Sequence, residues 1–344
     1  MCDLLDYEFG FGYIWTQIAS NIGGILKRIG LLTSGGDSPG MNPTIRAVVH
    51  EAVNQEIEVY GFRRGYVGLM DDDHIKMDLR TVGGIIKQGG TILLTARCEE
   101  FKSEQGIKAA LKTIEKEGIE GLIVIGGGGS LRGGLDLCES GVPVIGIPGS
   151  IDNDIYGTDM AIGVDTALNN IIGVVDKIKD TASSHERTFI IEVMGRNSGY
   201  LAISSAIATG AEAVIVPEVE YDLEIICQRL KEGYKRGKTN SLVIVAEGAD
   251  TAYGIARHLK KIGQIETKIT VLGHLQRGGS PTCFDRLLGS RLGKEAVEFL
   301  LKGESGKMVG TVRRETELTD LRTVTKKKRE IDQTYIELAE KLSK

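Results

Sequence analysis

Hydrophobic and polar positions along the chain fall into blocks. From residue 28 onward, continuous apolar runs of four to six residues alternate with stretches of helical spacing. In the first half, this pattern predicts elements at Ile29–Leu32, Met41–Asn54, Val59–Phe62, Gly106–Glu117, Leu122–Ile125 and Pro143–Ile147. In the second half, it predicts them at Thr188–Val193, Ser198–Thr209, Ala213–Val216, Leu223–Arg236, Leu242–Ala246, Ile269–Gly273 and Ile331–Leu342. Apolar strands that alternate with helices predict parallel sheets covered on both faces.

The length of 344 residues exceeds what one small core organises, so we expect about two domains. The predicted fold class is therefore α/β, with two doubly wound parallel-sheet domains of Rossmann-like type.

Three of the predicted strands run directly into polar loops that are rich in glycine. These loops are Thr33–Gly40, Gly126–Gly129 and Pro148–Asp154. Ligands of parallel α/β sheets bind at the carboxyl ends of the strands, and exposed backbone N–H groups there attract phosphate. The pattern predicts a phosphate-binding edge, although one such loop alone is equally typical of an ordinary turn.

Two familiar nucleotide fingerprints are absent. Residues 126–134 (GGGGSLRGG) do not satisfy G-x-G-x-x-G, which disfavours a nicotinamide dehydrogenase. Gly233–Thr239 resembles a P-loop, but its glycine spacing is one residue short and it lies at a predicted helix end.

Carboxylates and arginines accompany the loops. Asp152 and Asp154 suit a general base beside a cation-binding group, or equally an Asx-turn and helix cap. The arginines that lie at strand ends or in glycine-rich turns offer planar forks matched to phosphate oxygens. These arginines are Arg97, Arg187, Arg196 and Arg277.

Composition narrows the class of partner. The net charge is −5 and no basic face stands out, which argues against nucleic acid or a membrane surface as a partner. The five cysteines are scattered without a CxxC pair, so we expect a cytoplasmic protein with neither disulfides nor a zinc site.

Residues 1–25 differ from the rest, with five aromatic side chains and no signal-peptide pattern. We hypothesise that they are not native. Gly23-Gly24 would then be a ribosome-binding sequence read as codons, and Leu26 would be a UUG start. The alternative is an additional packed helix.

Six separated segments resemble the signatures of bacterial ATP-dependent 6-phosphofructokinase, in the same order. They are TSGGDSPGMN, GGTILLTAR, PGSIDNDI, SHERT, EVMGRNSG and VLGHLQRGGSPT, and together they cover residues 27 to about 300. The resemblance implies transfer of the ATP γ-phosphoryl group to the 1-hydroxyl of fructose 6-phosphate, with Mg²⁺ accompanying ATP. It also implies a homotetramer with an active site in the cleft between the two domains.

Residue roles follow from the resemblance, position by position. Asp152 matches the catalytic base, and Ser150 and Arg196 are further catalytic positions. The nucleotide positions are Gly36, Tyr66, Arg97, Cys98, Gly127, Gly128, Gly129 and Ser130. The sugar-phosphate positions are Ser150, Asp152, Arg187, Met194, Gly195, Arg196, Glu247, Lys268, His274 and Arg277. Residues matching Arg187 and Lys268 reach the 6-phosphate from a neighbouring subunit.

The expected domains are residues 26–162 plus 276–325 for ATP, and 163–275 plus 326–344 for the sugar phosphate. The resemblance also implies ATP rather than pyrophosphate as the donor, because the family's pyrophosphate-using members carry larger or charged residues where this chain has Gly129 and Gly149.

Three departures from the family pattern affect these expectations. Gly128 stands where an aspartate normally helps to hold Mg²⁺, which leaves Asp154 as the candidate metal ligand. Lys268 replaces an arginine and lacks its bidentate fork. An effector site for ADP and phosphoenolpyruvate matches at Arg46, Lys179, Glu212, Arg236 and Lys238, but His50 and Leu79 stand where arginines are common. The alternative function is a weakened paralogue that binds nucleotide and sugar phosphate in a regulatory role.

Overall fold

The protein is described by a computed structural model over residues 26–182 and 187–342. The predicted non-native segment, residues 1–25, lies outside these described residues. The strands are β1 (Arg28–Ser34), β2 (Glu58–Phe62), β3 (His74–Met77), β4 (Gly121–Gly126), β5 (Val144–Pro148), β6 (Thr188–Val193), β7 (Ala213–Ile215), β8 (Ser241–Ala246), β9 (Thr267–Val271), β10 (Lys307–Val312) and β11 (Glu315–Asp320). The helices are α1 (Met41–Asn54), α2 (Tyr66–Asp71), α3 (Glu104–Glu117), α4 (Gly128–Glu139), α5 (Val164–Ala182), α6 (Tyr200–Thr209), α7 (Leu223–Lys235), α8 (Ala252–Gly263), α9 (Cys283–Leu301), α10 (Leu321–Lys326) and α11 (Gln333–Leu342).

The described chain forms two compact units, and the α/β prediction is confirmed. Unit 1 comprises residues 26–150, 155–162 and 283–328, and unit 2 comprises residues 151–154, 163–282 and 329–342. The sequence-based boundaries fell at 162/163, 275/276 and 325/326, and they left residues 151–154 in the first domain.

Unit 1 is built on a seven-stranded sheet in the order β11-β10-β5-β4-β1-β2-β3. The five inner strands are parallel, and their apolar residues pack against α1 and α9 in one large core. Helix α3 shows how local signals set the ends of an element. The Ser103 hydroxyl accepts from the Gly106 amide at its start, and Gly118 ends it with φ 62°.

The two edge strands of this sheet are antiparallel, which the sequence pattern did not predict. Strand β3 pairs with β2, and β11 pairs with β10. The β10–β11 hairpin turns through Arg313 and Arg314, whose φ angles of 51° and 71° are those of a type I′ turn. A two-residue connection is too short for a crossover helix, so the last strand must run antiparallel.

Unit 2 carries a four-stranded sheet in the order β7-β8-β6-β9, and all its pairings are parallel. Its core lies between these strands and helices α7 and α8. Helix α7 begins at Asp222, whose carboxylate accepts from the amides of Glu224 and Ile225. The parallel arrangement brings the carboxyl ends of β6, β8 and β9 to one edge of this sheet.

Candidate active site

The three predicted glycine-rich loops begin at the carboxyl ends of β1, β4 and β5, which lie at one edge of the unit 1 sheet, as predicted. Strand β4 lies between β1 and β5, and the register pairs Ser34 with Gly126 and Gly126 with Pro148. Gly126 must lack a side chain, because an added Cβ would approach the Ser34 carbonyl oxygen to 2.5 Å. The close approach of these backbones places the starts of the three loops side by side, and within them Gly128 and Gly129 are exposed.

Helix α4 presents its amino end at this rim. It begins at Gly128, so the predicted glycine loop is shorter than the sequence suggested. The amides of Ser130 and Leu131 donate to the Gly127 carbonyl, while those of Gly128 and Gly129 have no acceptor in the described part of the chain. Such orphan N–H groups, together with the helix dipole, attract an anion.

Tyr66 packs against the amino end of α4. Its side chain is only 4% exposed, its hydroxyl donates to the Ser130 carbonyl at 2.6 Å, and its ring stacks on Phe101 with centroids 4.1 Å apart. Burial, with a smaller contribution from Asp136, raises the pKa of the Tyr66 phenol well above 10. Tyr66 therefore supports the nucleotide positions through Ser130.

The segment that carries Arg97 is tied to the end of β1. The hydroxyl of Thr33 donates to the Leu94 carbonyl, and that of Thr95 donates to the Gly35 carbonyl, both at 2.8 Å. Arg97 follows this tied segment, and its side chain is exposed. Cys98, next along the chain, lies with its sulfur 3.9 Å from that of Met70.

Asp152, the predicted base, is the most buried carboxylate among the proposed site residues. It is 4% exposed, and its Oδ2 lies 3.8 Å from the Arg196 Nε. Burial is the main cause of a raised Asp152 pKa, and the nearby Asp154 carboxylate adds to it. Arg277 and Arg196 act in the opposite direction without cancelling these effects. A raised pKa makes Asp152 a stronger base than an exposed aspartate.

The turn after β6 positions Arg196. Gly195 has φ 139° and Arg196 itself has φ 50°, a left-handed conformation that is unfavourable for a long side chain. The Glu247 carboxylate stabilises this turn by accepting from the Arg196 amide at 3.1 Å. Residue 248, next to Glu247, must be glycine, because a Cβ at this position would lie 1.6 Å from the Arg196 carbonyl oxygen.

The sequence-based reasoning missed two residues that hold this edge of unit 2. Gln276 is fully buried, and its side chain accepts from the Met194 amide at 3.2 Å and donates to the Gly273 carbonyl at 3.0 Å. Asn170, on α5, donates to the Gly278 carbonyl at 2.9 Å. Together they fix the turn between His274 and Gly278. Gln276 belongs to the HLQRGG segment, whereas nothing in the sequence distinguishes Asn170.

Residues 28–300 match the phosphofructokinase family. The chain belongs to this family. The phosphofructokinase assignment made from the six sequence segments is thereby confirmed.

Bacterial phosphofructokinases match nearly the whole chain. The "ATP-dependent 6-phosphofructokinase" of Halalkalibacterium halodurans is 52% identical over 318 residues, which is 92% of this chain and 100% of that protein. The protein of the same name from Thermotoga neapolitana is 52% identical over 319 residues, with the same coverage.

Solved phosphofructokinases share the fold. The Saccharomyces cerevisiae enzyme superposes with a TM-score of 0.81 at 36% identity, over 87% of this chain and 45% of the yeast chain. A pyrophosphate-dependent phosphofructokinase from Marinobacter aquaeolei superposes at 0.78 with 21% identity, over 90% of this chain and 86% of its own. The latter likeness concerns the fold alone.

The predicted site residues divide between the two units. The nucleotide positions, from Gly36 to Ser130, and Ser150 belong to unit 1. Unit 2 carries two sets of predicted sugar-phosphate residues, one at each end of its sheet. The set at the carboxyl ends of the strands consists of Met194, Gly195, Arg196, Glu247, His274 and Arg277. The set at the amino ends consists of Arg187 and Lys268.

Arg187 therefore does not follow a strand. It immediately precedes Thr188, the first residue of β6, and Lys268 is the second residue of the neighbouring β9. Strand β6 has six residues and rises about 3.3 Å per residue, so about 17 Å separates its first and last Cα atoms. Arg187 and Lys268 are thus remote from His274 and Arg277 within one chain.

The first turn of α4 does not fit a directly coordinated Mg²⁺. A Cβ at Gly128 would meet nothing within 4 Å, so the position is open and offers no oxygen ligand. The orphan amides beside it favour anions, whereas Mg²⁺ requires oxygen donors. Asp154, the predicted alternative ligand, belongs to unit 2, and its role as a ligand stays a prediction.

Four of the five predicted effector positions lie on unit 2. The Lys238 Nζ lies 3.1 Å from the Glu212 Oε1, and the Lys179 ammonium donates to the Thr209 carbonyl. Arg236 ends helix α7. Arg46 lies on α1 of unit 1, and it adds to burial in lowering the pKa of His50.

No helix among the described residues is long and apolar enough to cross a bilayer.

Proposed function

We propose that this protein phosphorylates fructose 6-phosphate at its 1-hydroxyl, with MgATP as the phosphoryl donor and fructose 1,6-bisphosphate and ADP as products. The observation that carries the proposal is Asp152. A deeply buried carboxylate with a raised pKa lies beside Arg196, on the segment that resembles the family's catalytic segment.

Each unit supplies a different part of this chemistry. The orphan amides of Gly128 and Gly129 bind phosphate oxygens of ATP, and Arg97 contributes positive charge. The turn at His274 and Arg277 holds the 6-phosphate of the sugar. Phosphoryl transfer requires mainly this positioning and the neutralisation of charge.

In the reaction, Asp152 accepts the proton of the 1-hydroxyl while that oxygen forms a bond to the γ-phosphorus. The bond between the γ-phosphorus and the bridging oxygen breaks, and ADP leaves. Arg196 stabilises the charge on the phosphoryl group during transfer. Mg²⁺ would enter with ATP as part of the substrate and would neutralise phosphate charge there, and residue 128 offers no side-chain oxygen to hold it.

The family's regulatory and quaternary features are part of the proposal. We infer a homotetramer in which Arg187 and Lys268 serve the sugar phosphate of a neighbouring copy. Their place about one strand length from His274 supports a contribution to another chain's site. Effector binding is proposed at Lys179, Glu212 and Lys238, together with Arg46 and Arg236.

An assay of fructose 1,6-bisphosphate formation tests the function. The purified chain should turn over fructose 6-phosphate with ATP and not with pyrophosphate, and Asp152→Asn should remove that activity. Absence of turnover with ATP at saturating Mg²⁺ would contradict the proposal and favour the weakened, regulatory alternative.

A further inference from the structure

A basic cavity lies at the amino-terminal end of the unit 2 sheet. Its volume is about 420 Å³, and α8, β9 and the residue before β6 line it. Four cationic side chains and one carboxylate lie on its wall. These are Arg187, Arg257, Lys260 and Lys268, with Glu266 as the carboxylate. We call this cavity the basic pocket.

The cations of the basic pocket have no ion-pair partner among the described residues. None of the four makes an ion pair or a side-chain hydrogen bond with any residue in 26–182 or 187–342, and Glu266 pairs with none of them. Other exposed cations do find acids, as Arg132 does with Asp136 at 3.1 Å. The four cations outnumber the single carboxylate on the wall and repel one another, so an arrangement of this kind suits an anionic ligand.

The proposed function identifies the chemistry of that ligand. Arg187 and Lys268 are the two positions proposed to hold a sugar 6-phosphate, and they share the cavity wall with Arg257 and Lys260. Lys268 supplies a point charge, whereas a guanidinium supplies a planar fork that matches two phosphate oxygens. Arg257 adds a second guanidinium, after that of Arg187, to the cavity wall that also carries Lys268.

We propose that Arg257 and Lys260 bind the phosphate of a sugar phosphate held by a second copy of this chain, together with Arg187 and Lys268. The inference rests on the proposed function. A second copy is needed because the basic pocket lies at the amino ends of β6 and β9, whereas the turn at His274 follows the carboxyl end of β9.

The first test is steady-state kinetics of Arg257→Gln beside Lys261→Gln. Lys261 lies on the same helix and is exposed, but it does not line the pocket. We expect Arg257→Gln to raise the KM for fructose 6-phosphate about tenfold, the size of one charge-assisted hydrogen bond, with kcat and the KM for ATP unchanged. Lys261→Gln should change none of these values, and an equal rise in both variants would overturn the inference.

A guanidinium introduced at position 268 provides an internal check. Lys268→Arg should lower the KM for fructose 6-phosphate, and Arg257→Gln should then raise it by clearly less than tenfold, because the two forks share one phosphate. The KM of Arg257→Lys for fructose 6-phosphate should lie between the values of wild type and Arg257→Gln. Full additivity of the two changes would count against a shared ligand.

Co-expression of two inactive or weakened chains tests the contribution across subunits. Asp152→Asn keeps the basic pocket but lacks the base, and Arg257→Gln keeps the base but lacks the fork. Mixed oligomers should contain sites that combine Asp152 of one copy with Arg257 of the other, and these sites should show the wild-type KM. A KM that stays at the Arg257→Gln value would overturn the placement in a second copy.

Binding of inorganic phosphate distinguishes a substrate site from a site for free phosphate. If phosphate raises the unfolding temperature of wild type but not of Arg257→Gln, while the KM for fructose 6-phosphate is the same in both, the pocket binds free phosphate and the substrate role is wrong. Failure of the proposed function would give a different result, because the wild-type protein would then show no turnover of fructose 6-phosphate with ATP.

Discussion

Replacing Gly128 by aspartate returns a carboxylate to the one position where the expected metal anchor is missing. The backbone accepts the change, because a Cβ at residue 128 would meet nothing within 4 Å. Residue 128 is also the first residue of α4, where a negative charge interacts favourably with the helix dipole. The variant should therefore fold at least as well as wild type.

Two effects of known size set the expected magnitudes. The dipole interaction contributes about 0.3–1 kcal/mol, which raises the unfolding temperature by roughly 1–3 °C for a unit of this size. An oriented electrostatic group at a transferring phosphoryl group changes kcat by about 10²-fold. We therefore expect Gly128→Asp to raise kcat by about 10²-fold at saturating Mg²⁺, and to lower the Mg²⁺ concentration for half-maximal rate.

The assay measures fructose 1,6-bisphosphate formation at fixed ATP across a Mg²⁺ titration. Gly128→Asn is the control, because it adds nearly the same volume without the charge, and it should leave kcat near the wild-type value. Equal kcat for wild type and the aspartate variant would mean that MgATP needs no protein carboxylate here. Equal gains for asparagine and aspartate would show that side-chain volume, not charge, limits turnover.

Three further predictions concern other parts of the structure. Asp152→Asn should lower kcat by about 10²–10⁴-fold, because it removes the proposed base. It should also raise the unfolding temperature at neutral pH, because the raised pKa of Asp152 means that its buried charge opposes folding at pH values above that pKa. A lower unfolding temperature would contradict this prediction. The acid limb of kcat/KM should lie above the ordinary aspartate range, and a limb within that range would show that burial does not raise the Asp152 pKa. Leu94→Gly should stabilise unit 1 by about 0.5–1 kcal/mol in denaturant unfolding, since Leu94 is 54% exposed with φ 58°, and Leu94→Ala should not.

Much of the fold followed from the sequence because its strands are short apolar runs. Helix α1 and strand β6 were predicted with their observed bounds, since each has a clear period and a polar or glycine boundary. Strand β11 was missed because Glu315–Asp320 has no apolar run and lies on the edge of the sheet. Edge strands are recognised by their pairing partners, and a pattern within one segment does not contain that information.

Sequence reasoning predicted those site residues whose reactive side chain lies within a distinctive sequence motif. Asp152 and Arg196 lie in distinctive motifs, so sequence reasoning could name them. Asn170 holds the turn from His274 to Gly278 through a side-chain hydrogen bond, and Gly248 allows the turn at Arg196 because it has no Cβ. Only tertiary neighbours reveal those roles. The burial that raises the Asp152 pKa likewise comes from packing around the residue.

In the proposed reaction, the changes at positions 128 and 152 act on different reacting groups within one phosphoryl-transfer step. Asp152 receives the proton of the sugar hydroxyl, and its burial and charged neighbours set its pKa within unit 2. Residue 128 acts on the phosphates of ATP from unit 1. A carboxylate at residue 128 should thus multiply the rate without moving the acid limb of the pH profile. A displaced limb in Gly128→Asp would mean that the two positions share one electrostatic environment, and the separate treatment of base and metal would then be wrong.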